Sequence, residues 1–184
     1  MVYDCVMRPR MCILFLLAAV CAGCARRAEE AVPTIDREII QEAIRYGRIN
    51  AEKSFGEFVE DWTVDTAYEQ GKGRAVLMTP FLSIALMAQK AALSGVDVDR
   101  RLVDRILRRD AGVIRFYVML YGNEPDFARK LIFRLKVNGY SIEPCEISIP
   151  RYGEFTRDYY NVASGSVSFP SVGIAPGSTV ILSV

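Results

Sequence analysis

The sequence predicts an α+β protein in which N-terminal helices pack on a C-terminal antiparallel β-sandwich, an immunoglobulin-like shape being one form of it. Three observations carry this. Apolar residues recur at intervals of three to five up to Arg109, and at intervals of two after Gly112. Thr79-Pro80 heads the most apolar stretch of the chain and has the chemistry of a helix start. Asn138-Gly139 separates two alternating runs, as a tight hairpin turn does, because both residues tolerate positive φ.

The first 23 residues are not expected to belong to that fold. Arg8 and Arg10 precede the apolar run Met11 to Val20, a length suited to a signal-peptide core and too short to cross a bilayer, which takes about 20 apolar residues. Met7 offers a second start, since Met1 to Val6 adds nothing to such a signal. The run ends in Val20-Cys21-Ala22-Gly23-Cys24, which resembles the lipobox of bacterial lipoproteins. Small residues stand at the two positions before Cys24, and Cys21 occupies the third, where leucine or a similar residue is usual. The resemblance implies lipid on Cys24 and cleavage by signal peptidase II in front of it, so that Cys24 becomes the first mature residue. It further implies a protein of the cell envelope. Ala25 stands where an aspartate commonly retains lipoproteins in the inner membrane, which favours the outer membrane, facing the periplasm, in a Gram-negative cell. Residues 24–33 are charged and aperiodic, as a tether is.

From Thr34 the pattern turns helical, and 34–110 is expected to be a helical region. Ile35, Ile39, Ile40, Ala43 and Ile44 form the first apolar stripe, Thr34 or Asp36 can cap it, and Gly47 is expected to weaken or end it. Ser54 to Trp62 suggests a shorter helix with Phe55, Phe58, Val59 and Trp62 on one face. A polar loop is expected from Asp65 to Gly73, then a brief extended segment from Arg74 to Met78. The helix Pro80 to Leu93 is apolar nearly all round, which means burial; Thr79, Pro80, Ser83, Gln89 and Lys90 argue against reading Ala75 to Leu93 as a membrane span. Asp97 or Asp99 opens a last helix to about Arg109, with Val98, Leu102, Val103, Ile106 and Leu107 as its stripe.

The region 111–184 is expected to be a β-rich module. In Val113 to Tyr121, Ile114, Phe116, Val118 and Leu120 share one face, and Arg115 and Tyr117 the other. Leu131 to Val137 alternates likewise, and Tyr140 to Ile149 follows the turn, with Cys145, Ile147 and Ile149 expected inward. Asn161 to Phe169 and Ser178 to Val184 complete five strands, fewer than the roughly seven of an immunoglobulin-like sandwich.

Composition removes several kinds of chemistry. There is no histidine, so Ser/His and Cys/His nucleophile pairs and the usual zinc sets are not expected, and no cofactor or metal is implied. Loss of 1–23 takes Arg8, Arg10 and Asp4 and leaves basic and acidic side chains equal in number, which argues against a nucleic-acid partner. Of five cysteines, Cys145 alone lies beyond the anchor, so no internal disulfide framework is expected. Gly71-Lys72-Gly73-Arg74 lacks the spacing of a phosphate loop, and Ser164 lacks a hydrolase elbow. Glu57, Glu60 and Asp61 are the candidate carboxylate cluster, read chiefly as a wet helix face. Asn123-Glu124-Pro125-Asp126 reads as a stiff turn rather than a calcium loop. Arg100, Arg101, Arg105, Arg108 and Arg109 are the candidate contact with a membrane surface or partner, with Asp99, Asp104 and Asp110 interleaved as ordinary ion-pair partners. Trp62, Tyr159 and Tyr160 are a candidate aromatic patch.

The mature region also resembles uncharacterised bacterial envelope lipoproteins that join a helical segment to a β-rich module, in stretches such as Leu120 to Arg129. That resemblance implies an architecture and no activity. The expected function is a non-enzymatic, membrane-anchored envelope lipoprotein that binds or supports another envelope protein. A module binding lipid or a small ligand is the alternative, and a carboxylate-dependent enzyme the third reading.

Overall fold

The computed structural model describes residues 35–68, 71–156, 161–174 and 178–184. Cys24, the tether, and Tyr159 and Tyr160 of the aromatic patch lie outside the described residues. The chain is α+β with antiparallel sheets. Its elements are helices α1 (Arg37–Ile49), α2 (Phe55–Phe58), α3 (Pro80–Leu93) and α4 (Arg100–Asp110), with strands β1 (Thr63–Tyr68), β2 (Gly71–Met78), β3 (Val113–Gly122), β4 (Arg134–Val137), β5 (Tyr140–Ile142), β6 (Glu146–Ser148), β7 (Glu154–Phe155), β8 (Asn161–Pro170) and β9 (Val180–Ser183). A six-stranded sheet runs in the order β1-β2-β3-β8-β6, with β7 also paired to β8, and a three-stranded sheet runs β5-β4-β9.

The large sheet serves two cores because its side chains alternate. Ala75, Phe116, Val118, Leu120, Ala163 and Val167 point to one face, where they pack with Phe133, Leu135, Val137 and Leu182 from the small sheet and the segment leading to it. On the other face Val76, Met78 and Tyr117 meet the helices through Ala43, Phe58, Trp62, Leu82 and Ile84. The expected stripe of β3 is confirmed by the burial of Phe116, Val118 and Leu120.

Helix α3 starts where its sequence says. Thr79 is the N-cap, its side chain accepting from Leu82 N at 3.1 Å, and Pro80 follows. Among the described residues no helix is long and apolar enough to cross a membrane. Asp99 caps α4 by accepting from Arg101 N at 2.8 Å. Asn138 and Gly139 both take positive φ, 48° and 88°, and join β4 to β5 as the dipeptide requires.

Several expectations need correction. The region 34–110 is not helical throughout, because the supposed polar loop 65–73 belongs largely to the hairpin β1–β2, which pairs with β3 and forms one edge of the large sheet. Gly47 does not end α1; it lies buried inside it, where a Cβ would stand 2.2 Å from the Ala85 carbonyl oxygen and 2.8 Å from Ala88 Cβ. Its missing side chain is what lets α1 approach α3. The stretch Tyr140 to Ile149 is two short strands in different sheets, and Cys145 and Ile147 are exposed rather than inward. Ile147 is registered opposite the buried Val167 and so shares its face, but β6 ends the strand order and its side chains lie at the margin of the core. Phe55 is also exposed, while Phe58, Val59 and Trp62 of the same expected face are buried.

Candidate functional site

The helices leave part of the large sheet uncovered. Along this margin α2 and the strands β1, β2 and β3 bound an open cleft of about 520 Å³, within the 300–1,000 Å³ common for ligand pockets. Register explains its floor. Thr63 lies opposite Val76 and Val76 opposite Tyr117, while Asp65 lies opposite Arg74 and Arg74 opposite Met119, so two cross-strand rows share one face of the sheet. Val76, Tyr117 and Met119 supply apolar floor, and Phe55 and Val59 close it from the helix side. The rings of Phe55 and Tyr117 meet edge to face, with centroids 6.1 Å apart. Tyr121 Oη donates to Met119 Sδ at 3.0 Å and steadies the thioether.

The rim is polar and chiefly acidic. Glu57 and Glu60 line it from α2 and the 3-10 turn that follows, and Asp65 and Arg74 from the hairpin. Arg74 Nε donates to Asp65 Oδ1 at 2.9 Å, which balances that pair and leaves Glu57 and Glu60 as the excess charge. Glu57 closes a capping box: its Oε2 accepts from Ser54 N at 2.9 Å and Ser54 Oγ at 2.6 Å. The hydrogen bond from the Ser54 side chain, then that from its backbone, holds the Glu57 carboxyl below its usual pKa and so favours its ionised form.

Of the candidate carboxylates, Glu57 and Glu60 reach the cleft and Asp61 does not line it. All three are exposed, so this is no buried acid–base pair. Among the described residues no three His, Cys, Asp or Glu side chains gather as a metal set. At the turn after β3, Lys130 Nζ meets Glu124 Oε2 at 2.6 Å and Asp126 Oδ1 at 4.0 Å, so a lysine neutralises those carboxylates.

The arginine helix divides. Arg100, Arg101, Arg105 and Arg108 are exposed on α4. Arg109 is exposed as well, but its guanidinium is tied to a buried carboxylate, donating to Asp110 Oδ1 from Nε at 2.8 Å and to Oδ2 from Nη2 at 3.0 Å, and those bonds hold it above its usual pKa. Asp110 was expected to be an ordinary surface partner; its side chain is 2% exposed, because it ends α4 against the sheet. Arg115 from β3 reaches Asp110 Oδ1 at 3.0 Å and donates from Nε to Ser168 Oγ at 3.1 Å. Ser83 of α3 donates to Asp110 Oδ2 at 3.4 Å. The buried network therefore ties α3, α4, β3 and β8 together.

The sequence pattern does not reveal the cleft, since three strands bound it and the expected loop from Asp65 to Gly73 covers most of β1 and the start of β2. The alternation Val76, Met78 and Tyr117, Met119 on the faces opposite Ala75 and Phe116 was the available signal. No family model matches the chain, and no curated protein or solved structure does.

Proposed function

We propose that this protein is a non-enzymatic lipoprotein of the bacterial envelope, anchored by lipid on Cys24 and binding another envelope protein through the margin of its large sheet. The observation that carries the binding half is the position of β1. It ends the strand order of the sheet, no described strand pairs with its outer side, and the cleft opens along it through Thr63 and Asp65. An unpaired edge offers main-chain donors and acceptors to an added strand, and an adjoining pocket selects its side chains. The anchoring half rests on the lipobox resemblance at Val20 to Cys24. The outer membrane, facing the periplasm, is the location that Ala25 favours. We read the two sheets as layers of a sandwich, a reading supported by the apolar cluster that both contribute to.

The alternative, a lipid or small ligand in the cleft, is favoured by its volume alone. The exposure of Glu57, Glu60 and Asp61 gives a carboxylate-dependent enzyme no support.

The test is crosslinking in intact cells with the native protein and its Cys24→Ser variant, followed by mass spectrometry. A lipid-modified Cys24 and an envelope protein captured by the native form, and diminished in the variant, are expected. A native protein that is free in solution with an unmodified N-terminus would sink the anchor; absence of any stoichiometric partner would sink the protein-binding role.

A further inference from the structure

Resting on the reading of β1 as a partner edge, we propose that the cleft receives long basic side chains, lysine or arginine, from the strand that adds to β1. The cleft has the two parts such side chains need. Its floor of Val59, Val76, Tyr117 and Met119 suits an aliphatic stem, while Glu57 and Glu60 stand at the rim where a cationic head would emerge. The faces of Phe55 and Tyr117 add attraction for a cation lying over either ring. An acidic partner is disfavoured because Arg74, the one cation lining the cleft among the described residues, is already held by Asp65.

The spacing narrows the partner further. Alternate residues of an added strand fall on the same face of the sheet, about 7 Å apart. Thr63 and Asp65 stand at that interval on β1 and both line the cleft. A volume near 520 Å³ exceeds what one side chain fills. The occupant is therefore an extended segment of the form basic-x-basic, with its alternate residues turned to the opposite face.

The experiment uses the folded Cys24→Ser chain and a fluorescein-labelled, extended peptide of alternating lysine and valine, with glutamate-for-lysine as its counterpart. Saturable binding of the lysine peptide is expected, at least tenfold tighter than the glutamate peptide and weakening as salt rises. Glu57→Gln with Glu60→Gln should reduce lysine-peptide affinity about tenfold; glutamine at 57 can still complete the capping box, and circular dichroism checks that the fold persists. Hydrogen exchange of the Thr63–Tyr68 amides should slow when the peptide binds.

Equal affinity for both peptides, or undiminished binding by the double variant, overturns the proposal. If the double variant still captures the native envelope partner and β1 amides are still protected, the basic-side-chain inference falls while strand addition stands. Binding of the lysine peptide without protection at β1 overturns both, leaving a cleft for small cations.

Discussion

Asp110 shows how a residue's place in the fold outweighs its type. A carboxylate at the end of an arginine-rich helix reads as a solvated ion-pair partner, yet here it is buried between Arg109 and Arg115. Taking such a group from water is costly, and only good geometry offsets that cost. Removing it leaves Arg109 and the nearly buried Arg115 without their close anion, Glu146 standing 3.9 Å from Arg115. Asp110→Ala is therefore expected to lower the unfolding free energy by about 3 kcal/mol, the lower end for a broken buried pair, since Arg109 can turn to solvent. Arg101→Ala, on the exposed face of the same helix, should change it by less than about 0.5 kcal/mol. Urea unfolding of the two variants checks the contrast; equal effects would mean that the network contributes nothing particular. No sequence signal distinguished Asp110 from Asp104, because the distinction comes from Arg115, on a different element. The Cys145 thiol is exposed for a related reason: parity assigns a face, whereas burial depends on what covers that face, and β6 ends the strand order of its sheet.

Elements that declare themselves locally were legible, and those that depend on a partner were not. Helix α3 carries its own start, with Thr79 accepting from Leu82 N and Pro80 contributing no orphan donor. Thr79→Ala should cost about 1 kcal/mol and Thr79→Ser much less, read from thermal unfolding; equal losses would show that the hydroxyl does not act as the cap. Gly47 is the opposite case. Glycine inside a helix costs about 1 kcal/mol relative to alanine, so propensity alone predicts that Gly47→Ala stabilises. Contact with α3 reverses the sign, since the new methyl would meet the Ala85 carbonyl oxygen at 2.2 Å and must force the helices apart. Overpacking of this kind costs about 1–3 kcal/mol, and a net loss is expected in urea; a gain would show that the helices separate easily. The extended segment expected from Arg74 to Met78 is most of β2, but β1 and the start of β2 escape notice because Asp65 to Gly73 has the composition of a loop. The hairpin's strand character is conferred by β3, to which every residue of β2 is registered.

At the scale of the whole molecule, the sequence pattern separated a helical half from a β-rich half, and the side chains almost keep that division. The helix-side cluster draws Tyr117 from beyond residue 110, and the strand-side cluster draws Ala75 and Leu77 from before it. The crossing points are the neighbouring strands β2 and β3. Along β2, Ala75 and Leu77 enter one core while Val76 and Met78 enter the other; along β3, Phe116 and Tyr117 do the same. Neither core can be exposed without loosening strands that bound the other, and the Asp110–Arg115 contact joins the last helix to the same sheet. Unfolding is therefore expected to be a single transition despite the two cores. The sequence supplies a clean probe, because the one tryptophan, Trp62, lies in the helix-side core. Its fluorescence and the far-ultraviolet circular dichroism of the whole chain should give the same urea midpoint. If Trp62 reports an earlier transition while β-sheet signal persists, the halves are separable modules and the boundary at 110/111 is a real domain border. Coincident curves would mean that the sheet makes one cooperative body, so a partner added at β1 would stabilise the helices and the small sheet together.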